Sequence, residues 1–200
     1  MAPFMPSACS DRRRRRLAIV LTALLASAAL PAMGAAGWGL AAFPVLAFER
    51  YSSPFGLRRH PMHGDARLHD GLDIAAPAGS PVRSWWRGRV VAVIADRGCG
   101  VGLVIRSGDY EHLYCHLSGS VSGGRYRAAG IQLAVGDRVA TGQLIARVGS
   151  SGMATGPHLH WGLRWRGQLL DPVAVLRAMA SDRSWPSATG WSPSNVKSLR

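Results

Sequence analysis

The chain is 200 residues long and carries 24 Lys and Arg against 11 Asp and Glu, a formal net charge of +13. That length accommodates one domain once the ends are set aside and argues against a second. The positive balance favours anionic partners and says nothing about the fold.

Residues 1–48 stand apart. Arg12 to Arg16 are consecutive arginines, Leu17 to Leu30 are uncharged and apolar, and Pro31 is followed by the small-residue segment Ala32-Met33-Gly34-Ala35-Ala36-Gly37. A basic start, a short apolar stretch and a small-residue cleavage site make up a secretory signal peptide. Residues 1–36 are therefore expected to be a leader cleaved after Ala36. The alternative is a retained membrane anchor reaching to about residue 48. No charge interrupts Leu17 to Phe48, a length that spans about 30 Å of hydrocarbon, although Pro31, Pro44 and several glycines weaken it as one helix. Both readings put residues 49 onward outside the cytoplasm. Without residues 1–36, 19 basic residues face 10 acidic ones, a balance of +9. In that compartment an anionic cell envelope is the expected partner, and nucleic acid is not.

Cys9 falls in the leader, which leaves Cys99 and Cys115. They flank what reads as a hairpin about Ser107-Gly108-Asp109, nearly equidistant from the turn. An oxidising compartment favours a disulfide between them, with two free buried thiols as the alternative.

From Phe48 to about Leu170, glycines and prolines punctuate short β-rich runs such as Arg89 to Ile94, Val101 to Ile105 and Leu144 to Val148. Short strands at this spacing imply an all-β sandwich or barrel, and a domain over 49–180 is large enough for a proper core. Asp171 to Met179 reads as one short C-terminal helix, with Asp171-Pro172 as its start signal. The segment 181–200 is rich in Ser, Pro and Trp and is expected to be a loosely ordered polar tail.

Three segments carry residues suited to chemistry. If His158 to Trp165 is extended, His158, His160, Gly162 and Arg164 share one face, while Leu159, Trp161, Leu163 and Trp165 form a core face. Two histidines turned together away from a core are more than surface decoration. In the strand before them, Tyr110, His112, Tyr114 and His116 fall on one face, with Leu113, Cys115 and Leu117 on the other. His116 becomes a candidate acid/base beside the other segments. His69 and Asp73 lie four apart, and both reach one metal if Gly71 lets the backbone bend sharply. Asp70 is expected to point away into solvent. His69, Asp73 and one of His158 or His160 make a three-ligand set with an open position, the catalytic type of zinc site. Manganese and iron also accept such donors. The H-E-x-x-H helix signature is absent.

The order of motifs resembles the lysostaphin-type zinc endopeptidases. Ser53-Pro54-Phe55-Gly56-Leu57-Arg58-Arg59-His60-Pro61 and His69-x-Gly71-x-Asp73-Ile74-Ala75-Ala76-Pro77-x-Gly79-Ser80-Pro81-Val82 are similar to the family's opening block. Tyr114-x-His116-Leu117-Ser118 is similar to its central motif. Gly136-Asp137-x-Val139-x-x-Gly142-Gln143 and Gly149-x-Ser151-Gly152-x-x-Thr155-Gly156-Pro157-His158-Leu159-His160 are similar to its closing block. The resemblance runs from about Tyr51 to Pro172.

It implies a compact antiparallel β-sandwich and barrel-like hybrid with one short C-terminal helix. It also implies one Zn2+ per chain, held by His69, Asp73 and His160 with an open fourth position. His116 and His158 would be the non-ligating pair, one taking a proton from water and the other stabilising or protonating the tetrahedral intermediate. The implied substrate is the peptide part of peptidoglycan, its stems or cross-links. Three departures stand out. Many relatives carry an acidic residue where this chain has Gly162. The stretch from Ser118 to Val135, with Gly123-Gly124-Arg125-Tyr126-Arg127, is longer than usual and is expected to form a loop at the cleft rim. Trp85 and Trp86 replace small residues and are expected to pack rather than line the groove. The rival readings are a non-catalytic domain of this fold that binds peptidoglycan or activates a hydrolase, and a peptidase acting on proteins. Non-catalytic relatives usually lack metal ligands, whereas all five positions are kept here.

Overall fold

The computed structural model describes residues 41–59 and 64–181. The expected leader (1–36) and the polar tail beyond Ser181 lie outside the described residues. In chain order the first strands are β1 (Arg50–Ser53), β2 (Gly56–Arg59), β3 (Ala66–His69), β4 (Gly71–Ala75) and β5 (Pro81–Arg83). Next come β6 (Gly88–Asp96), β7 (Gly100–Ser107), β8 (Tyr110–Cys115), β9 (Ser120–Ser122) and β10 (Arg125–Ala128). The remaining elements are β11 (Ile131–Ala134), β12 (Arg138–Val139), β13 (Leu144–Arg147), β14 (His158–Trp165), β15 (Gln168–Leu170) and the helix α1 (Pro172–Ser181).

One antiparallel sheet dominates, ordered β1-β4-β14-β8-β7-β6-β12, with β15 also paired to β14. The hairpin β2-β3, the pair β5-β13 and the meander β9-β10-β11 complete the strands. The all-β expectation with a C-terminal helix holds, and the runs read as strands near 89–94, 101–105 and 144–148 are β6, β7 and β13. The long segment after Ser118 differs from its expectation. It is not a loop but the meander, because Tyr126 on β10 is fully buried and its hydroxyl donates to the Ser118 carbonyl at 2.9 Å. An alternating Arg-Tyr-Arg run with one buried aromatic is strand chemistry, and Gly123-Gly124 supplies the turn, both with positive φ.

Register sorts the large sheet into two faces. Trp161 stands opposite Leu72 on β4 and Tyr114 on β8, and Tyr114 stands opposite Leu103 on β7. All four are fully buried. Leu163, His112 and Ile105 form the next buried row. Because side chains alternate along a strand, the intervening residues must emerge on the opposite, open face. Trp85 closes the core. It is fully buried, its ring meets those of Tyr110, His112 and Trp161 edge-on at 5.4–5.9 Å, and its indole N–H donates to Met179 Sδ at 3.2 Å. That contact docks α1 on the domain. Asp171 starts the helix by accepting the Val173 N–H at 2.9 Å, an N-cap interaction. Trp85 packs, as expected.

Ahead of β1, Ala41, Ala42, Phe43 and Val45 are buried as well. Ala42 N–H donates to the Trp85 carbonyl and Arg83 N–H to that of Pro44, so the packed domain reaches upstream of residue 49.

His112 is a polar group inside this core, bonded to the Ser107 hydroxyl at 2.8 Å and to the Tyr114 hydroxyl at 2.7 Å. Burial pushes its pKa down to about 3. An unfolded chain protonates this imidazole below about pH 6.5, whereas the folded chain stays neutral. The resulting stability is complete above pH 6.5 and is lost as pH falls toward 3, at about 1.4 kcal/mol per pH unit. Urea unfolding of the parent chain is therefore expected to lose about 2 kcal/mol between pH 6.5 and 5 that His112→Gln does not lose. Cys99 and Cys115 form a disulfide with Cα atoms 4.8 Å apart. The unreduced protein is expected to weigh two protons less than the reduced one, with no thiol alkylated at either position; alkylation of both would contradict the bond.

Candidate metal centre

The open face of the sheet holds the site. Antiparallel pairing sets His160 on β14 directly opposite Asp73 on β4. His69, the last residue of β3, enters from the hairpin beside them. Its Nε2 lies 3.0 Å from Asp73 Oδ1 and 3.0 Å from His160 Nδ1, and His160 Nδ1 lies 2.9 Å from the same carboxylate oxygen. All three residues are buried, and one donor atom from each falls within a 4.8 Å cluster.

Gly71 makes this convergence possible, for a reason other than the expected bend. Its φ is not among the positive values. A Cβ there would stand 2.7 Å from His160 Cε1 and Nε2 and 2.8 Å from the Trp161 carbonyl. Glycine is needed for room.

Each ring is oriented by what its outer nitrogen donates to. His69 Nδ1–H donates to the Pro54 carbonyl at 2.6 Å, which leaves Nε2 bare toward the cluster. His160 is turned the other way. Its Nε2 meets Asp70 Oδ1 at 3.3 Å, leaving Nδ1 bare. The expectation that Asp70 turns away into solvent therefore fails. Asp70 lies in the step between β3 and β4, where strict alternation lapses, and its half-exposed carboxylate lines the cleft and contacts a ligand ring. Such a partner fixes the tautomer and raises ligand basicity. The hydrogen bond with His160 holds the Asp70 carboxyl below its ordinary pKa.

Charge in the cluster is coupled. Burial alone would raise the pKa of Asp73, but the His160 and His69 rings against its carboxylate hold it well below the usual carboxylate range. Burial likewise opposes a charge on His160, yet Asp70 and Asp73 push it up to about 9. Without a metal, these carboxylates draw a proton into the centre, and a dication would displace it. Arg58 Nη2 approaches the other Asp73 oxygen at 3.5 Å, a contact that motif spacing did not suggest. Two imidazole nitrogens and one carboxylate oxygen, with their outer atoms already engaged, suit zinc with an open position.

The two remaining histidines face the same cleft of about 370 Å³. His158 Nδ1–H donates to the Gly156 carbonyl at 2.8 Å, and its Nε2 points toward Asp73 Oδ1 at 3.8 Å. His116 requires a backbone departure. Alternation puts it with Tyr110, His112 and Tyr114, and that face is the core. A φ of 60° at His116 breaks the alternation and turns the ring into the cleft. This left-handed conformation is uncommon for a residue other than glycine and persists only where the surroundings hold it. Neighbouring bonds hold it. Its N–H donates to the Cys99 carbonyl at 2.9 Å, the disulfide pins the preceding residue, and Nδ1–H donates to the Ser151 carbonyl at 2.8 Å. The His116 ring lies 4.6 Å from that of His158 and 6.0 Å from that of His160. Burial pushes its pKa down to about 4, so it is neutral at pH 7 with Nε2 free to accept a proton. All five residues expected from the motifs thus meet in one place, while Asp70 and Arg58 are added by the structure.

Comparison with known proteins agrees with this geometry. The family model described as peptidase family M23 matches residues 67–172. The DD-carboxypeptidase/endopeptidase Mpg of Neisseria meningitidis serogroup B is 41% identical over 132 residues, covering 65% of this chain and 28% of that protein. The peptidoglycan DD-endopeptidase ShyA of Vibrio cholerae is 36% identical over 141 residues, covering 70% of this chain and 30% of that protein. The chain thus spans less than a third of the length of these curated relatives. A zinc-containing peptidase from Vibrio cholerae superposes with a TM-score of 0.56 at 34% identity, over 71% of this chain and 40% of that one. The catalytic domain of lysostaphin from Staphylococcus simulans gives 0.52 at 27% identity, over 65% and 92%. The chain belongs to peptidase family M23, and His69, Asp73 and His160 form the zinc site typical of that family.

Proposed function

We propose that this chain is an exported zinc endopeptidase that hydrolyses a peptide bond in the stems or cross-links of peptidoglycan. The observation that carries the reading is the convergence of three metal donors and two non-ligating histidines on one cleft. The names of Mpg and ShyA point to the same class of bond.

When bound, zinc would bring the pKa of a water toward about 7 and polarise a carbonyl. The protein supplies the rest. Neutral His116, with Nδ1–H committed to Ser151 and Nε2 bare, is positioned to accept a proton from the attacking water. His158, held by Gly156 through Nδ1–H, presents its own Nε2 on the same side of the cleft, where as an imidazolium it can donate to the developing oxyanion, while the proton that His116 takes from water is the one passed to the leaving amine. Asp70 and the Pro54 carbonyl hold the two ligand rings with their donor atoms inward. A non-catalytic role for the same fold would not require His116 to keep a disfavoured backbone conformation aimed at the metal donors.

For export, residues 1–36 serve as a cleaved leader in this reading. The burial of Phe43 and Val45 in the domain favours cleavage over an anchor continuing to about residue 48. The balance of +9 beyond residue 36 would help hold the enzyme on an anionic envelope.

His116→Ala is expected to retain stoichiometric zinc while turnover falls by about 10²–10⁴, the usual size of a general acid–base contribution. Zinc analysis and turnover of the same sample check this, and unchanged turnover would remove His116 from the mechanism. Purified sacculi treated with zinc-loaded protein lacking residues 1–36 are expected to lose cross-linked fragments, read by mass spectrometry, and chelated protein is expected to leave them intact. Absence of cleavage with zinc bound would shift the reading to a binding or activating domain.

A further inference from the structure

On the open face of the large sheet, the register aligns a row of charged residues that the metal centre does not use. Arg138 on β12 stands opposite Arg89 on β6, Arg89 opposite Arg106 on β7, Arg106 opposite Glu111 on β8, and Glu111 opposite Arg164 on β14. Like charges directly opposed across an antiparallel pair are destabilising. Here two such pairs adjoin, Arg138 with Arg89 and Arg89 with Arg106. The carboxylate of the row, Glu111, is already engaged by Arg106 at 2.6 Å. Asp137, next to Arg138, turns its carboxylate to the Ala134 N–H at 2.8 Å. Among the described residues Arg89 reaches the Gly136 carbonyl, an uncharged acceptor. Arg106 is compensated by Glu111, but Arg89 and Arg138 oppose one another with no ion pair to either among the described residues, and a local rule broken in this way marks a place where something else can supply the compensation.

A second observation points to the same place. Arg89, Arg106 and Arg138, joined by Arg87, border one hollow of about 380 Å³. Among the described residues, the rest of its lining is two glycines, Ser107 and the buried Val139. Strand spacing of about 4.8 Å places the three opposed arginines across roughly 10 Å, and guanidinium groups pair with phosphate oxygens in bidentate fashion.

We propose that Arg87, Arg89, Arg106 and Arg138 form a binding row for a linear phosphate-bearing polymer, distinct from the peptide substrate. The row is separate from the cluster at His69, Asp73 and His160: two strands lie between β4 and Arg106 on β7, and four between β4 and Arg138 on β12. It therefore anchors the enzyme and does not position the scissile bond. The shape of the hollow selects the occupant. Among the described residues no aromatic side chain lines it, so they offer no stacking platform of the kind that single-stranded nucleic acid uses. Among the described residues no exposed apolar side chain lines the hollow itself, and Val135 beside Gly136 is a single small side chain, too little for insertion into a bilayer. What remains is recognition of successive phosphates by charge and fork geometry.

The test compares the full chain with Arg89→Gln/Arg138→Gln and with a charge-matched control, Arg125→Gln/Arg127→Gln, whose arginines lie exposed on β10. Binding of labelled linear polyphosphate is measured by anisotropy over a range of salt. The row variant is expected to bind about ten-fold more weakly or worse, and its slope of log affinity against log salt is expected to fall by about 1.5, at roughly 0.7–0.9 per phosphate contact. The control is expected to bind like the parent. In phosphate-free, low-salt buffer the row variant is also expected to unfold no more readily than the parent, because an opposed like-charge pair has been removed. Equal weakening in both variants, or none in the row variant, overturns the proposal. So does tighter binding to phosphatidylglycerol vesicles, or to single-stranded DNA of equal phosphate count, than to polyphosphate.

Discussion

The antiparallel pairing of β14 with β4 is the constraint on which the rest depends. In that register His160 faces Asp73 and Trp161 faces Leu72, so a single alignment sets both a metal donor pair and the centre of the core. The two requirements enforce one another. A slip of one residue would carry Leu159, Trp161 and Leu163 to the open face and both histidines inside, since side-chain direction alternates with period two. Burial of three large apolar side chains opposes that slip at about 1.5–3 kcal/mol each. The metal centre is therefore held in register by the hydrophobic core beneath it.

Backbone carbonyls and one carboxylate then orient the rings. Pro54, Ser151 and Gly156 accept from His69, His116 and His158, while Asp70 takes the outer nitrogen of His160. Because each of these partners sits in a loop or a strand junction, the loops determine which nitrogen faces the cleft. The loop carrying Ser151 is itself tied down. Ser151 Oγ donates to the Leu117 carbonyl and accepts from Val101 N–H, and Met153 N–H donates to the Gly98 carbonyl. The disulfide joins the same region to the end of β8, one residue before His116. These contacts over-determine a conformation whose cost is of order 1–3 kcal/mol.

The open face is layered by the same register. The metal row of Asp73, His160 and Cys115 is followed by Gly71, Gly162, Leu113 and Val104, and then by Arg164, Glu111 and Arg106. Gly162 leaves a shallow apolar interval between two charged rows, where a Cβ would meet the Asp70 carbonyl at 3.3 Å. One sheet thus separates a metal-ligand row from a basic one.

Much of this was legible in the chain itself, because local patterns survive folding where a strand is buried on one side. Alternation along His158 to Trp165 separated ligand face from core face, Asp171-Pro172 marked the helix start, and motif order brought His69, Asp73, His116, His158 and His160 together as one site. Tertiary structure decided the rest. Alternation placed His116 on the core side, and only a positive φ, stabilised by Cys99 and Ser151 from distant segments, turned it into the cleft. Asp70 looked solvated because the step between two strands has no fixed period. Gly71 looked like a hinge because nothing local reveals the His160 ring packed against it. The row of arginines is scattered through β6, β7 and β12 and becomes a row only through pairing. A sequence encodes which face a residue takes within its own strand; which residues it then meets depends on partners brought close by long-range register, and those contacts have no local signature.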